Sequence, residues 1–240
     1  MTNTKHHREK TEPHAQNYTH RLNWLRAAVM GANDGIVSIG ALVIGIAGVS
    51  NSPEFVLTAG IAGVISGSIS MGLGEYVSVS TQRDTELALI AKEKRELKEQ
   101  PELELAELAE IYQHKGLSPE TAKIVAQELT AHDPIKAHLE AELGINEETL
   151  TNPWYAAYAS AGAFLFGAII PILMITIPPT SLRIPVTFAG VILALALNGS
   201  LSAYAGGSSK RKATIRVIVG GILAMAITFG VSKLFGVTGI

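Results

Sequence analysis

The chain has 240 residues, of which 48% are hydrophobic and only 17% charged, with a formal net charge of -2. The charges are clustered and leave long uncharged stretches, the profile of a membrane protein with a small polar domain rather than of one water-soluble globule. There is no cysteine, so disulfides, thiolate metal sites and thiol catalysis are excluded, and any metal must be held by carboxylate, imidazole, thioether or backbone oxygen.

Residues 1–22 are polar and lack the apolar core of a cleaved signal peptide. They are read as a disordered cytoplasmic tail. Its His6, His7, His14 and His20 follow no defined ligand spacing, so a solvated tail is favoured over a metal-binding one. Five apolar segments follow, at about 26–49, 55–80, 154–177, 184–205 and 213–234. Each is about 20 residues or longer, enough for a hydrocarbon core of roughly 30 Å. Backbone polar groups in lipid must be satisfied within the segment, so these are expected to be helices. The expected organisation is all-α: transmembrane helices one and two in 23–80, an acidic cytoplasmic helical insert in 81–152, and helices three to five in 153–240.

Basic residues set the orientation. Lys5, Arg8, Lys10, Arg21 and Arg26 precede the first helix, and Lys210, Arg211, Lys212 and Arg216 mark the fourth loop. The first loop has neither Lys nor Arg, and the third has only Arg183. This places the N-terminus and the insert in the cytoplasm and the C-terminus outside. Trp24, Trp154 and Tyr155 fall at the expected interfaces.

Between Arg26 and Glu54 the only charge is Asp34. It lies about 8 residues past Arg26, roughly 12 Å along a helix and well inside the hydrocarbon. Burying it there costs roughly 2.5–3.5 kcal/mol on insertion scales, so an intramembrane acid signals a partner, a water-filled cavity or a cation. The second helix returns antiparallel and can bring Met71 to a similar depth. Methionine is common in apolar helices, so the residues alone favour a packing or lipid-facing role for Met71 over ligation. Glu75, one turn from Met71 on the same face, reads equally as a cation-attracting or proton-relaying group and as an interfacial carboxylate with ordinary hydration. Gly31, Gly35, Gly63 and Gly67 have the four-residue spacing of close helix packing. Asn33 and Asn198 read as helix–helix hydrogen-bonding groups.

The insert holds sixteen of the 21 acidic residues, between Asp84 and Glu148. Its first helix is expected to continue out of the second membrane helix and to break at Pro101. A second helix closes at Gly116. Ser118-Pro119 and Asp133-Pro134 are start signals, and Gly144 is a C-terminal cap. Glu93 and Glu96 are three apart, Glu104, Glu107 and Glu110 repeat that spacing, and His138 and Glu142 are four apart, each set on one helical face. Oxygen-rich sites with an occasional nitrogen suit Fe²⁺, Mn²⁺ and similar ions. A solvated acidic face, relieved by Lys92, Lys94, Arg95 and Lys98, is the competing reading for any one pair.

LRAAVMGANDGIVS in the first helix and SGSISMGLGEYVSVSTQRD leading out of the second resemble the vacuolar iron transporter (VIT or CCC) family, and the resemblance extends over nearly all of the chain from Asn23 on. It implies a homodimeric membrane transporter, not an enzyme, that moves Fe²⁺ and often Mn²⁺ out of the cytoplasm in exchange for protons. It implies a translocation path at Asp34 and Met71, with Glu75 as a candidate further group. It also implies insert ligands at Glu93, Glu96, Glu104, Glu107 and Glu142, with His138 where the family has a methionine. A second departure is Gly63, where the family can carry an intramembrane carboxylate. No prosthetic group and no nucleic-acid partner are expected, the metal being the transported ion. A short chain without an evident targeting segment points to a prokaryotic cytoplasmic (inner) membrane, with a vacuole-type membrane as the open alternative. Two rival readings stay open: a membrane-anchored metal sensor or binding protein without transport, and a transporter of another cation with a regulatory insert.

Overall fold

The computed structural model describes the backbone of residues 16–147 and 150–237 and the side chains of residues 24–147 and 150–236. In chain order the elements are α1 (Gln16–Val49), α2 (Pro53–Glu99), α3 (Pro101–His114), α4 (Pro119–His132), α5 (Pro134–His138) with a π-helical turn at Leu139–Leu143, α6 (Pro153–Thr176), α7 (Arg183–Ala205) and α8 (Lys210–Val237). No strand occurs among the described residues. The expected tail overlaps α1, which begins at Gln16. The remainder of that tail lies outside the described residues, as does the side chain of His20.

The chain divides into two compact units, one from Met1–Val77 with Pro153–Ile240 and the other Ser78–Asn152. The first contains α1, α6, α7, α8 and the start of α2, and all five helices are long and apolar enough to cross a membrane. α1 packs against α6, α7 and α8. Its two faces feed two apolar clusters. Ile36 and Ile44 meet Val191, Leu195 and Met225, while Ile39 and Val43 meet Val56, Phe164 and Ile175. The α1–α6 crossing is close because Gly31 faces the Ser160 carbonyl, Gly35 the Phe164 carbonyl, and Gly167 of α6 the Ala32 carbonyl. A β-carbon at any of these would run into backbone, so only glycine allows that approach.

On the outside of this unit, Ile61, Ile65, Ile69, Leu73 and Val77 form an exposed apolar stripe down α2, and α6 exposes Phe166, Ile169 and Leu173. Stripes of that extent are not stable in water and fit a hydrocarbon solvent. At the start of α7 the side chain of Arg183 is buried and its guanidinium donates to the carbonyls of Ala47 and Ser50. It satisfies acceptors left over at the C-terminal end of α1 and complements that end of the helix dipole.

The second unit follows local start and stop chemistry. Gln100 and Pro101 separate α2 from α3, and Gly116 turns with φ 102°. Ser118 accepts from the Thr121 amide at the start of α4, and Asp133 accepts from the Lys136 amide at the start of α5. Gly144 closes the π turn at φ 63°. α3 lies on α4, with Leu108, Ala126 and Ala137 as the small core.

Candidate metal centre and membrane path

In the Ser78–Asn152 unit, three of the expected ligands meet. Glu93 from α2, Glu104 from α3 and His138 from the end of α5 are all buried, and their ligand atoms lie within 4.8 Å of one another. Nδ1 of His138 is 3.1 Å from the Glu93 carboxylate and 3.7 Å from that of Glu104. Neither ring nitrogen of His138 has a hydrogen-bond partner, nor does Oε1 of Glu93. Buried polar atoms without partners carry a desolvation cost that a shared cation would remove.

The remaining three expected ligands surround this group. Burial, then repulsion from Glu142, Glu104, Glu96 and Glu107, pushes the Glu93 carboxyl up to about 7. Burial and then Glu107, Glu96 and Glu142 raise Glu104. Glu142, exposed as a residue, is raised by partial desolvation and then by Glu107. Burial lowers His138 against the opposing pull of Glu107, which favours the neutral imidazole that a metal needs. Such a cluster strains against itself when ionised and relaxes on binding protons or a divalent cation.

Two details differ from the helical-face reading. The segment after His138 is a π turn rather than α-helix. His138 is turned fully inward while Glu142 stays exposed. Glu110 leaves the group altogether and lies 3.6 Å from His114. Part of the acidic surface is an ordinary ion-paired face, with Lys92 on Glu96 at 2.9 Å and Lys94 on Glu147 at 2.8 Å.

In the membrane unit Asp34 is half-buried on α1, and the Ser38 hydroxyl one turn on donates to its carboxylate at 2.6 Å. α2 runs antiparallel to α1, with Gly60 beside Val43, Gly63 beside Ile39 and Leu42, and Glu75 beside Arg26. That register puts Met71 within about one helical turn of Asp34 in depth. Met71 itself packs on the apolar cluster around Phe164. Ser68 of α2 is buried and donates to the Ala161 carbonyl at 3.1 Å. Glu75 is buried and held by the Arg26 guanidinium at 2.9 Å. This corrects the reading of Glu75 as an ordinarily hydrated interfacial group. Arg26 had been legible only as a topogenic flank residue. Charge complementarity across the antiparallel pair was the available signal. Asn33 Oδ1 and Asn198 Nδ2 are buried without partners, so neither atom makes the interhelical hydrogen bond expected of these residues.

Residues 25–233 match the model of the VIT family. The chain belongs to the VIT family. Within it, this chain is 42% identical to a vacuolar iron transporter of Acanthamoeba castellanii over 212 residues, 88% of this chain and 78% of the relative. It is 35% identical over 233 residues to vacuolar iron transporter homolog 2.1 of Arabidopsis thaliana, covering 95% and 90% of the two chains. Vacuolar iron transporter homolog 1 of Oryza sativa is 35% identical over 225 residues, 93% of this chain and 79% of the relative. As a VIT-family member with five candidate spans, the protein is a membrane protein. At Gly63 a β-carbon would meet the Leu42 side chain, so a carboxylate there would require Leu42 to move in this VIT-family packing.

Proposed function

We propose that this protein carries divalent metal, Fe²⁺ or Mn²⁺, out of the cytoplasm across its membrane in exchange for protons. The observation that carries the reading is the buried Glu93–Glu104–His138 group, whose unpartnered ligand atoms sit inside a ring of carboxylates. The names of the relatives, vacuolar iron transporters, support iron as cargo. In this reading Glu93, Glu104 and His138 capture the cation, and Glu96, Glu107 and Glu142 attract it and adjust as it binds. Asp34 receives the ion within the membrane, with Met71 as a thioether ligand at similar depth and Glu75 as a further polar group on the path.

Coupling follows from charge. A carboxylate deep in a low-dielectric span is stable only with a compensating cation or proton, so Asp34 exchanges one for the other and opposes the two fluxes. The unit's basic end, with Arg26 and Lys210–Lys212, faces the cytoplasm by the bias of basic loops. A homodimer is supported by an exposed row of small residues on α2, Ala62, Ser66, Ser70 and Gly74, at the spacing of close helix packing. The relatives named for a compartment are vacuolar and eukaryotic, which does not favour a prokaryotic inner membrane. Membrane fractionation of the native source decides the location.

The test is flux in liposomes under a pH gradient, read with a metal-sensitive dye. Wild-type protein moves Fe²⁺ and Asp34→Ala does not. Normal flux in Asp34→Ala refutes the mechanism. Metal binding without flux in the wild type identifies a sensor instead, and competition among Fe²⁺, Mn²⁺, Zn²⁺ and Ca²⁺ ranks the cargo.

A further inference from the structure

A cavity of about 450 Å³ lies among α1, α7 and α8, apart from Asp34, Met71 and the acidic cluster. Its lining includes Arg26, Asn33, Asn198, Ser202, Ser208 and Arg216, with apolar side chains between them. Arg216 has no ion-pair partner among the described residues and repels cations, so this space does not extend a path for divalent metal. Arg26 uses an N–H on Glu75, but a guanidinium has five, leaving donors for a second acceptor. Asn198 Nδ2 and Asn33 Oδ1, a donor and an acceptor, are both buried without partners and both belong to residues lining this cavity. Two serine hydroxyls add donors, and the start of α8 at Lys210 lies just past Ser208, adding the positive end of a helix dipole.

Loop bias toward Lys and Arg accounts for Lys210, Arg211 and Lys212, which do not line the cavity. It does not account for Arg216, a turn and a half inside α8, nor for the unpartnered buried atoms of Asn33 and Asn198 among the lining residues. We infer that the cavity is a binding site for a phosphate-bearing anion, with the phosphate between the arginines and its hydroxylated substituent reaching Asn33. Basic pockets between membrane helices suit acidic phospholipid headgroups, and a free phosphate offers the same chemistry. The apolar lining between the polar groups fits a lipid's glycerol and first methylenes as well.

The experiment uses the full chain in neutral detergent. Native mass spectrometry counts adducts with phosphatidylglycerol against phosphatidylcholine, and thermal-shift titration with inorganic phosphate forms the second arm. Expected is a retained phosphatidylglycerol adduct, or protection by phosphate, either of which supports the site and identifies its source. Arg216→Gln lowers the affinity about tenfold or more, while Lys212→Gln, a neighbouring cation outside the cavity, leaves it unchanged. Asn198→Asp is nearly isosteric and places a negative charge in the cavity. It must weaken binding comparably, and it decides the matter if Arg216→Gln does not fold. The inference is overturned if neither anion binds, if the cavity variants bind as the wild type does, or if Lys212→Gln loses as much as Arg216→Gln. None of these readouts involves metal flux, so failure here is distinct from failure of the transport reading.

Discussion

Glu93 gives a prediction with a worked magnitude. Its carboxyl is pushed from 4.5 to about 7 by burial first and by four neighbouring glutamates second. At pH 6 the metal-free folded site then holds about 0.9 proton on Glu93, and at pH 8 about 0.1. A bound divalent cation requires the carboxylate, so binding expels that proton. Metal affinity through this group therefore rises about tenfold between pH 6 and pH 8. The same shift acts on stability. The folded value lies above the unfolded one, so between pH 4.5 and 7 the folded protein holds the extra proton, and the metal-free unit loses stability as pH rises through that window. At about 1.4 kcal/mol per unit the loss reaches about 3 kcal/mol at most, and metal restores it. Calorimetric titration of the full chain in two buffers of different ionisation enthalpy counts the protons released. Glu104 and Glu142 are raised too, so the diagnostic quantity is wild type minus Glu93→Gln. That difference is expected to be close to one proton at pH 6 and to vanish at pH 8. Equal proton release by the two proteins at pH 6 would falsify the argument.

Three further outcomes are expected. His138→Leu replaces a buried imidazole with an apolar side chain of similar size, so the metal-free protein changes in stability by less than about 1.5 kcal/mol while metal affinity drops at least tenfold. A larger fall in stability would show that the imidazole holds the fold rather than the metal. Gly35→Val drives a side chain into the Phe164 carbonyl and costs roughly 1–3 kcal/mol in detergent unfolding. Gly220→Ala, on α8, where the added carbon meets nothing within 4 Å, serves as the control and leaves stability unchanged or raises it by up to about 1 kcal/mol. Arg183→Met strips the donor from the Ala47 and Ser50 carbonyls and costs about 1–3 kcal/mol. A variant that melts with the wild type would show that solvent serves those carbonyls equally well.

The elements that obey local rules were legible in the chain. The five spans follow from apolar length, because a backbone in hydrocarbon has one helical solution per segment. The joints of the acidic unit follow from Pro101, Gly116, Ser118, Asp133 and Gly144, since capping and left-handed turns are decided within a few residues. Asp34 announced itself because one charge in an apolar run is costly wherever the helix packs. Tertiary structure alone decided which carboxylates are desolvated. Glu93, Glu104 and Glu110 carry the same chemistry in the chain, yet only the first two turn inward to His138 while Glu110 pairs with His114 at the surface. Likewise, only packing holds Arg26 against Glu75, replaces an α-helical face with a π turn after His138, and leaves Asn33 and Asn198 with unpartnered atoms at one cavity. The reason is range. Hydropathy and caps act within one continuous segment, whereas desolvation and charge coupling are set by groups brought together from distant segments.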